Sequence, residues 1–364
     1  MELSTLTQKA GDNSSLVQAH NAIINNYCGI TEERAREIFK ELSADTYAKY
    51  TQESYATIDE RLEKFKNELL MHFAQYENIL KAFSDPEFQF LLKKAQLRAA
   101  ITDQESDYTT LANFLVMHIQ KGKNRKVKTA IRHAIDIVDE IDNDALCALT
   151  IAHVIQNMEP ISLSCISSIK FLSDLFQKLL YMELPNGFEW LDHLETLGTI
   201  KTFPLNSLRS LIDYYIKKFD GYICVGIKEN SPEHKKALQF LASTSLSEQL
   251  LQPNELFSGY VRLSVTRKVH LSIHNNIGIQ NITHPLTEDE CHVLLQIWDL
   301  YSKDPILQKE VNTRFTTFWL SFPSLNQLSR WWTKIPYMFS ITSVGRVLAY
   351  TNSKQHVPEI PDLL

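Results

Sequence analysis

Apolar positions in the first third of the chain recur at spacings of three and four, the signature of helices with one buried face. Ile30-Thr-Glu-Glu-Arg-Ala-Arg-Glu-Ile-Phe predicts a helix start. Thr31 serves as its cap, Glu32 and Glu33 suit the positive end of its dipole, and Ala35, Ile38, Phe39 and Leu42 share a face. A second start is read at Thr51-Gln-Glu-Ser, with Thr51 as N-cap. From there Tyr55, Ile58, Leu62, Phe65, Leu69, His72, Tyr76, Ile79 and Phe83 form a heptad seam with His72 at a d position. It stops at Ser84-Asp85-Pro86, where proline cannot continue the hydrogen-bond ladder. A helix of about thirty residues runs about 45 Å and outgrows a small core. The seam therefore implies either a helical hairpin or bundle within the chain, or a dimer.

The helical pattern continues from Pro86 (Phe88, Leu91, Leu92, Ala95) and, after polar Thr102–Asp107, from Tyr108 to about Phe219. Its stripes include Leu111, Phe114, Leu115 and Ile119, then Ile131, Ala134, Ile135 and Val138, with Asp142-Asn-Asp before the next helix. Beyond Asp220-Gly221 the pattern mixes. Tyr222–Ile227, Tyr260–Thr266 and Val269–His274 alternate like strands. Ser231-Pro-Glu-His and Thr287-Glu-Asp-Glu open helices, and Tyr337–Tyr350 reads as a short strand feeding a last helix capped by Thr342 or Ser343. The expected fold is mainly α: an association segment over 1–30, a long-helix region over 31–105, an all-helical domain over 106–220 and a mixed α/β region over 221–364.

Hydrophobic residues make up 44% of the 364 and support real cores, while 10 Gly and 12 Pro favour helices over many tight turns. A net charge of −6 argues against a dedicated nucleic-acid protein. Five widely spaced cysteines without a Cys-x-x-Cys pair imply reduced thiols rather than a zinc ribbon or disulfide framework. The first residues carry no secretory pattern and no run of about 18 apolar residues occurs, so a soluble, cytoplasmic protein without membrane contact is expected.

Chemistry-bearing clusters are few. His270 and His274 would share a strand face roughly 13 Å apart, too far for one ion, with His284 nearby in sequence. Asp136, Asp139, Glu140, Asp142 and Asp144 read as solvated acids at helix ends. No phosphate loop, nucleophile elbow or zinc-protease motif occurs. No metal, cofactor or catalytic residue is assigned, and the expectation leans away from an enzyme. Lys121, Lys123, Arg125, Lys126 and Lys128 crowd one interhelical stretch and are the candidate nucleic-acid contacts.

Two resemblances add to this. Phe339-Ser-Ile-Thr-Ser-Val-Gly-Arg is similar to the wing strand and closing helix of bacterial winged-helix domains, with Ile341 in the usual Leu place. The preceding Ser324–Trp332 helix offers only Arg330 and, just beyond, Lys334, so protein contact is favoured over groove reading. Near the N-terminus, Gln8, Gly11, Asn13, Leu16, Val17 and Gln18 form a polar, β-compatible segment suited to strand addition. Gln8–Ser14 loosely resembles amyloid-forming motifs of immune adaptors but departs from their Gln–Gly–Asn spacing. Together with Gly29–Ile38 and Glu53–Leu70 it resembles an uncharacterised family of bacterial cytoplasmic proteins whose N-terminal module also precedes phage-defence domains.

The expected function is a non-enzymatic sensor, adaptor or regulator that self-associates through residues 8–28 and the seam from Tyr55 to Phe83, with a homo-oligomer and an unidentified protein as partners; the resemblance implies a setting in bacterial antiviral defence. A nucleic-acid-binding regulator and an enzyme with a dispersed site, such as a nuclease, remain as alternatives.

Overall fold

The computed structural model describes residues 32–74, 82–83, 85–121, 124–160, 164–273, 279 and 284–364, with backbone alone over 32–50. It divides into one unit over residues 1–60 and another over 61–364. Among the described residues it is mainly helical, with thirteen α-helices and a few short strands. The association segment 8–28, Thr31, Lys123, His274, Tyr76 and Ile79 lie outside the described residues.

Helix α1 runs unbroken from Glu32 to Phe73, so Thr51 is no cap. The reason is visible in the chain: no glycine or proline stands between Gly29 and Pro86, and nothing at Thr51 interrupts the ladder. In the first unit the described chain is the early part of this helix; the Thr57 hydroxyl donates to the Glu53 carbonyl at 3.0 Å. Helix α1 ends ten residues before Phe83, where the seam was read to stop.

The second unit opens with the rest of α1 and with α2 (Pro86–Ile101), started by Asp85 accepting from the Glu87 amide. Phe73, Phe83 and Phe88 meet edge-on or tilted with ring centroids 5.4–6.2 Å apart. At the other end of α2, Arg61 donates to the carbonyls of Ala100 and Ile101, at 3.2 and 2.9 Å. The two segments are therefore antiparallel, with a guanidinium on the negative end of α2.

Next come α3 (Glu105–Gln120), α4 (Arg125–Ile137), α5 (Asn143–Asn157) and α6 (Cys165–Leu179). Every residue of α5 from Ala145 to Ile155 is buried. Its C-terminal carbonyls need partners, and buried Lys218 supplies them, donating to Ile155, Gln156 and Met158 at 2.8–3.1 Å. Lys218 ends α8 (Leu211–Lys218), which follows α7 (Glu189–Thr196) and β1 (Ile200–Phe203).

Asp136 pairs with Lys94 at 2.7 Å, and Arg98 reaches Asp139 and Glu140 at 3.2 and 3.4 Å. These acids, expected to be solvated, instead join α4 and its end to α2.

The last helices, α11 (Pro305–Leu320), α12 (Pro323–Trp332) and α13 (Ser343–His356), return to this same core, α13 lying along α4 and α5. Strand β5 (Met338–Ile341) pairs antiparallel with β1, Ile200 opposite Ile341 and Phe203 opposite Met338. Thr342 caps α13, accepting from the Gly345 amide and donating to the Gly198 and Thr199 carbonyls. A β-carbon on Gly345 would lie 2.1 Å from the Thr199 carbonyl oxygen. The Thr-x-x-Gly element thus closes β5–α13 onto the turn before β1.

A second hydrophobic cluster holds β2 (Ile227–Lys228), α9 (Pro232–Ala242), β3 (Leu251–Pro253), β4 (Tyr260–Leu263) and α10 (Glu288–Asp299). Its sheet order is β2-β4-β3, all antiparallel. Ser231 and Thr287 cap α9 and α10 as the sequence predicts, Thr287 in a full capping box with Glu290.

Two strand readings fail here. Tyr222–Val225 is buried chain without strand pairing, and only Ile227–Lys228 joins the sheet after Gly226 turns the backbone at φ 80°. Residues 268–272 form a 3-10 turn because the Asp220 carboxylate accepts from the Lys268 amide at 2.8 Å.

Candidate ligand cleft

Helix α13 sets the floor of a cleft whose walls come from α3, the start of α5 and Tyr181. Its Asn352 is buried and donates to the Thr150 hydroxyl at 2.8 Å and to the Tyr181 hydroxyl at 3.0 Å. Gln355 donates to the Thr110 hydroxyl at 2.8 Å. His356 lies flat on Tyr181, with ring centroids 3.7 Å apart and planes 10° apart. Each side chain is held by another, so the wall is pre-organised rather than merely polar.

Asp107, at the first turn of α3, is the decisive group. It is 6% exposed and accepts from the Thr102 hydroxyl. Burial, aided by the neighbouring charges of Asp139 and Asp103, pushes its carboxyl up to about 6 against the lowering effect of Thr102. Burial holds His356 below the usual imidazole value. Asp107, His356, Tyr181, Asn352 and Gln355 all line one cavity of about 370 Å³.

A second cavity, of about 490 Å³, shares Gln355 with the first and is lined by His72, Thr109, Asn113, Thr351 and Lys354 among others. The Thr351 hydroxyl is buried and has no hydrogen-bond partner among the described residues. His72 of α1 stands 3.8 Å from Glu68, which accepts from Thr109 at 3.2 Å. The polar d position of the seam thus faces a cavity of its own unit.

The residues read from sequence lie mostly elsewhere. Phe65 and Leu69 are buried in the core of their own unit and Leu62 is half-buried against it, the intramolecular use of the seam. Ile58 is half-buried and Tyr55 is exposed. Of the basic stretch, Lys121 pairs with Asp362, Lys128 pairs with Glu87 at 2.8 Å, and Arg125 and Lys126 are exposed at the start of α4. Two of these cations are therefore already neutralised for phosphate contact. His270 sits 3.3 Å from Glu159, and His284 lies 3.1 Å from Glu290. Arg330 and Lys334 line a separate open cavity of about 410 Å³ with Glu183.

Sequence reading passed over Asp107, although its spacing to Leu111, Phe114 and His118 puts it on the apolar face of α3. A charged residue at a core position was the available signal.

A protein-family model whose description, reading only “:-like”, names no activity matches residues 29–363. The chain belongs to this uncharacterised family. The match covers α1 through the end of α13 and with them the whole cleft, and it begins after Gln8–Ser14, which carried part of the N-terminal resemblance. No curated protein and no solved structure matches the chain. Among the described residues no helix is long and apolar enough to cross a membrane.

Proposed function

We propose that this chain is a non-enzymatic regulator: it binds a small polar molecule in the α3–α13 cleft and acts through protein contacts and self-association. The observation that carries the ligand is Asp107. A buried carboxylate that is mostly charged at neutral pH weakens the fold, and a group kept at such a cost is characteristic of a binding site. The unpartnered Thr351 hydroxyl in the adjoining cavity points the same way.

Self-association rests on the sequence: the polar β-compatible segment 8–28, with Tyr55 exposed on α1. A setting in bacterial antiviral defence rests on the resemblance carried by Gln8–Ser14, Gly29–Ile38 and Glu53–Leu70. The β5–α13 unit, winged-helix-like in sequence, is assigned to protein contact because the preceding α12 region offers only Arg330 and Lys334 as cations, and both line a cavity with Glu183.

Native mass spectrometry of the freshly purified chain tests both parts. A retained small molecule, lost in Asn352→Leu, supports the ligand. An oligomer at micromolar concentration that becomes a monomer without residues 1–28 supports self-association. Ligand-free monomers in both versions overturn the reading.

One observation favours a second reading, an enzyme with a dispersed site. Asp107 and His356 line the same cavity, and a carboxyl near pH 6 is suited to general acid–base work.

A further inference from the structure

His118, near the end of α3, is 2% exposed, and neither ring nitrogen has a hydrogen-bond partner among the described residues. Buried imidazoles are normally satisfied, because an orphaned polar group forfeits its hydration without return. This one faces two carboxylates. A ligand atom of His118, one of Asp85 and one of Glu87 all lie within 4.8 Å of one another. A divalent transition ion holds such ligand atoms about 2.0–2.2 Å from itself, so small side-chain movements bring three atoms this close together onto one ion.

The arrangement has the features a protein ligand set requires. Burial and the charge of Lys128 keep His118 below the usual imidazole value, so its lone pair is free for coordination at neutral pH. Asp85 is exposed and spends one oxygen on the Glu87 amide as the cap of α2. Glu87 accepts from Lys128 at 2.8 Å and from Arg132.

These two cations are competitors. An ion entering beside His118 draws on Glu87 and loosens its hold on Lys128 and Arg132, a coupling that can be measured.

We infer that Asp85, Glu87 and His118 form a binding site for a divalent ion of the zinc class, in which Lys128 and Arg132 compete with the ion for Glu87. The chemistry is two carboxylate oxygens and one neutral imidazole, with the remaining position open to water. This site is separate from the α3–α13 cleft and does not rest on its assignment.

The test is titration of the chelator-treated full chain with Zn²⁺ by calorimetry and with Co²⁺ by visible absorption. One ion per chain is expected, with a Co²⁺ spectrum of oxygen and nitrogen ligands and no thiolate charge-transfer band.

His118→Gln and Asp85→Asn each weaken binding at least tenfold; Asn preserves the helix cap, so Asp85→Asn separates coordination from folding. Lys128→Gln tightens binding several-fold because it removes a competitor. Absence of binding in the parent chain overturns the inference. So does binding that His118→Gln leaves unchanged, or a Lys128→Gln variant that binds more weakly.

Discussion

Asp107→Asn is expected to stabilise the protein, and to do so only where the aspartate is charged. The carboxyl sits at about 6 in the folded chain against 3.8 for the ordinary group. A raised acid gives stability that is full below the unfolded value and lost as pH climbs through the folded one, because the folded state holds the extra proton. Over the whole window the loss is about 3 kcal/mol, from roughly 1.36 kcal/mol per pKa unit. Between pH 5 and pH 8 it is about 1.4 kcal/mol by the same relation.

Asparagine keeps the acceptor for Thr102 and carries no charge. It therefore tracks the protonated form at every pH. Calorimetric unfolding of the parent and variant should show little difference near pH 4, and a variant advantage that grows to several degrees by pH 8. Equal offsets at both pH values, or a variant less stable at pH 8, would refute the account of Asp107 as a desolvated charge. Either result would also remove the main support for the cleft.

Other substitutions probe the frame around the cleft. Gly345→Ala drives a methyl toward the Thr199 carbonyl and should cost about 3 kcal/mol, read from the urea midpoint. Lys218→Met leaves the carbonyls of Ile155, Gln156 and Met158 without their shared donor. A loss of about 3 kcal/mol is expected, with faster amide exchange at the end of α5. Arg61→Ala should cost about 1 kcal/mol and fray the last turn of α2 selectively, as seen by hydrogen exchange.

The sequence made the helices legible wherever spacing and caps agreed. Asp85-Pro86, Ser231-Pro232, Thr287 with Glu290, and Thr342 all mark helix starts in the structure. Local chemistry decides these features, so local sequence shows them. Thr51 misled because a capping residue starts a helix only where the preceding chain is not already helical.

Strand β1 went unseen because it is four residues long and its partner, β5, lies well over one hundred residues away. The reading of Val269–His274 as a strand failed for a similar reason. The Asp220 carboxylate that bends residues 268–272 into a turn comes from a distant loop. The cleft was illegible as a whole, since Tyr181, Asp107 and His356 come from three separated segments, yet Asp107 announced itself as a charge at a core spacing.

That last point extends to the whole of α3. Asp107 and His118 are eleven residues apart, and at 100° per residue they project within about 20° of each other. Both are buried among Leu111, Phe114 and Leu115. Neither strengthens the fold: one is a desolvated carboxylate and the other an imidazole without hydrogen-bond partners among the described residues. Apolar residues of similar volume would pack there without the desolvation cost. A helix serving only as core would show one apolar face from end to end. Helix α3 instead carries a buried acid at one end of that face and, at the other, a buried imidazole without hydrogen-bond partners among the described residues. The proposed cleft and the proposed ion site fall at the two ends of α3, and the stability of Asp107→Asn and the metal response of His118→Gln test them separately.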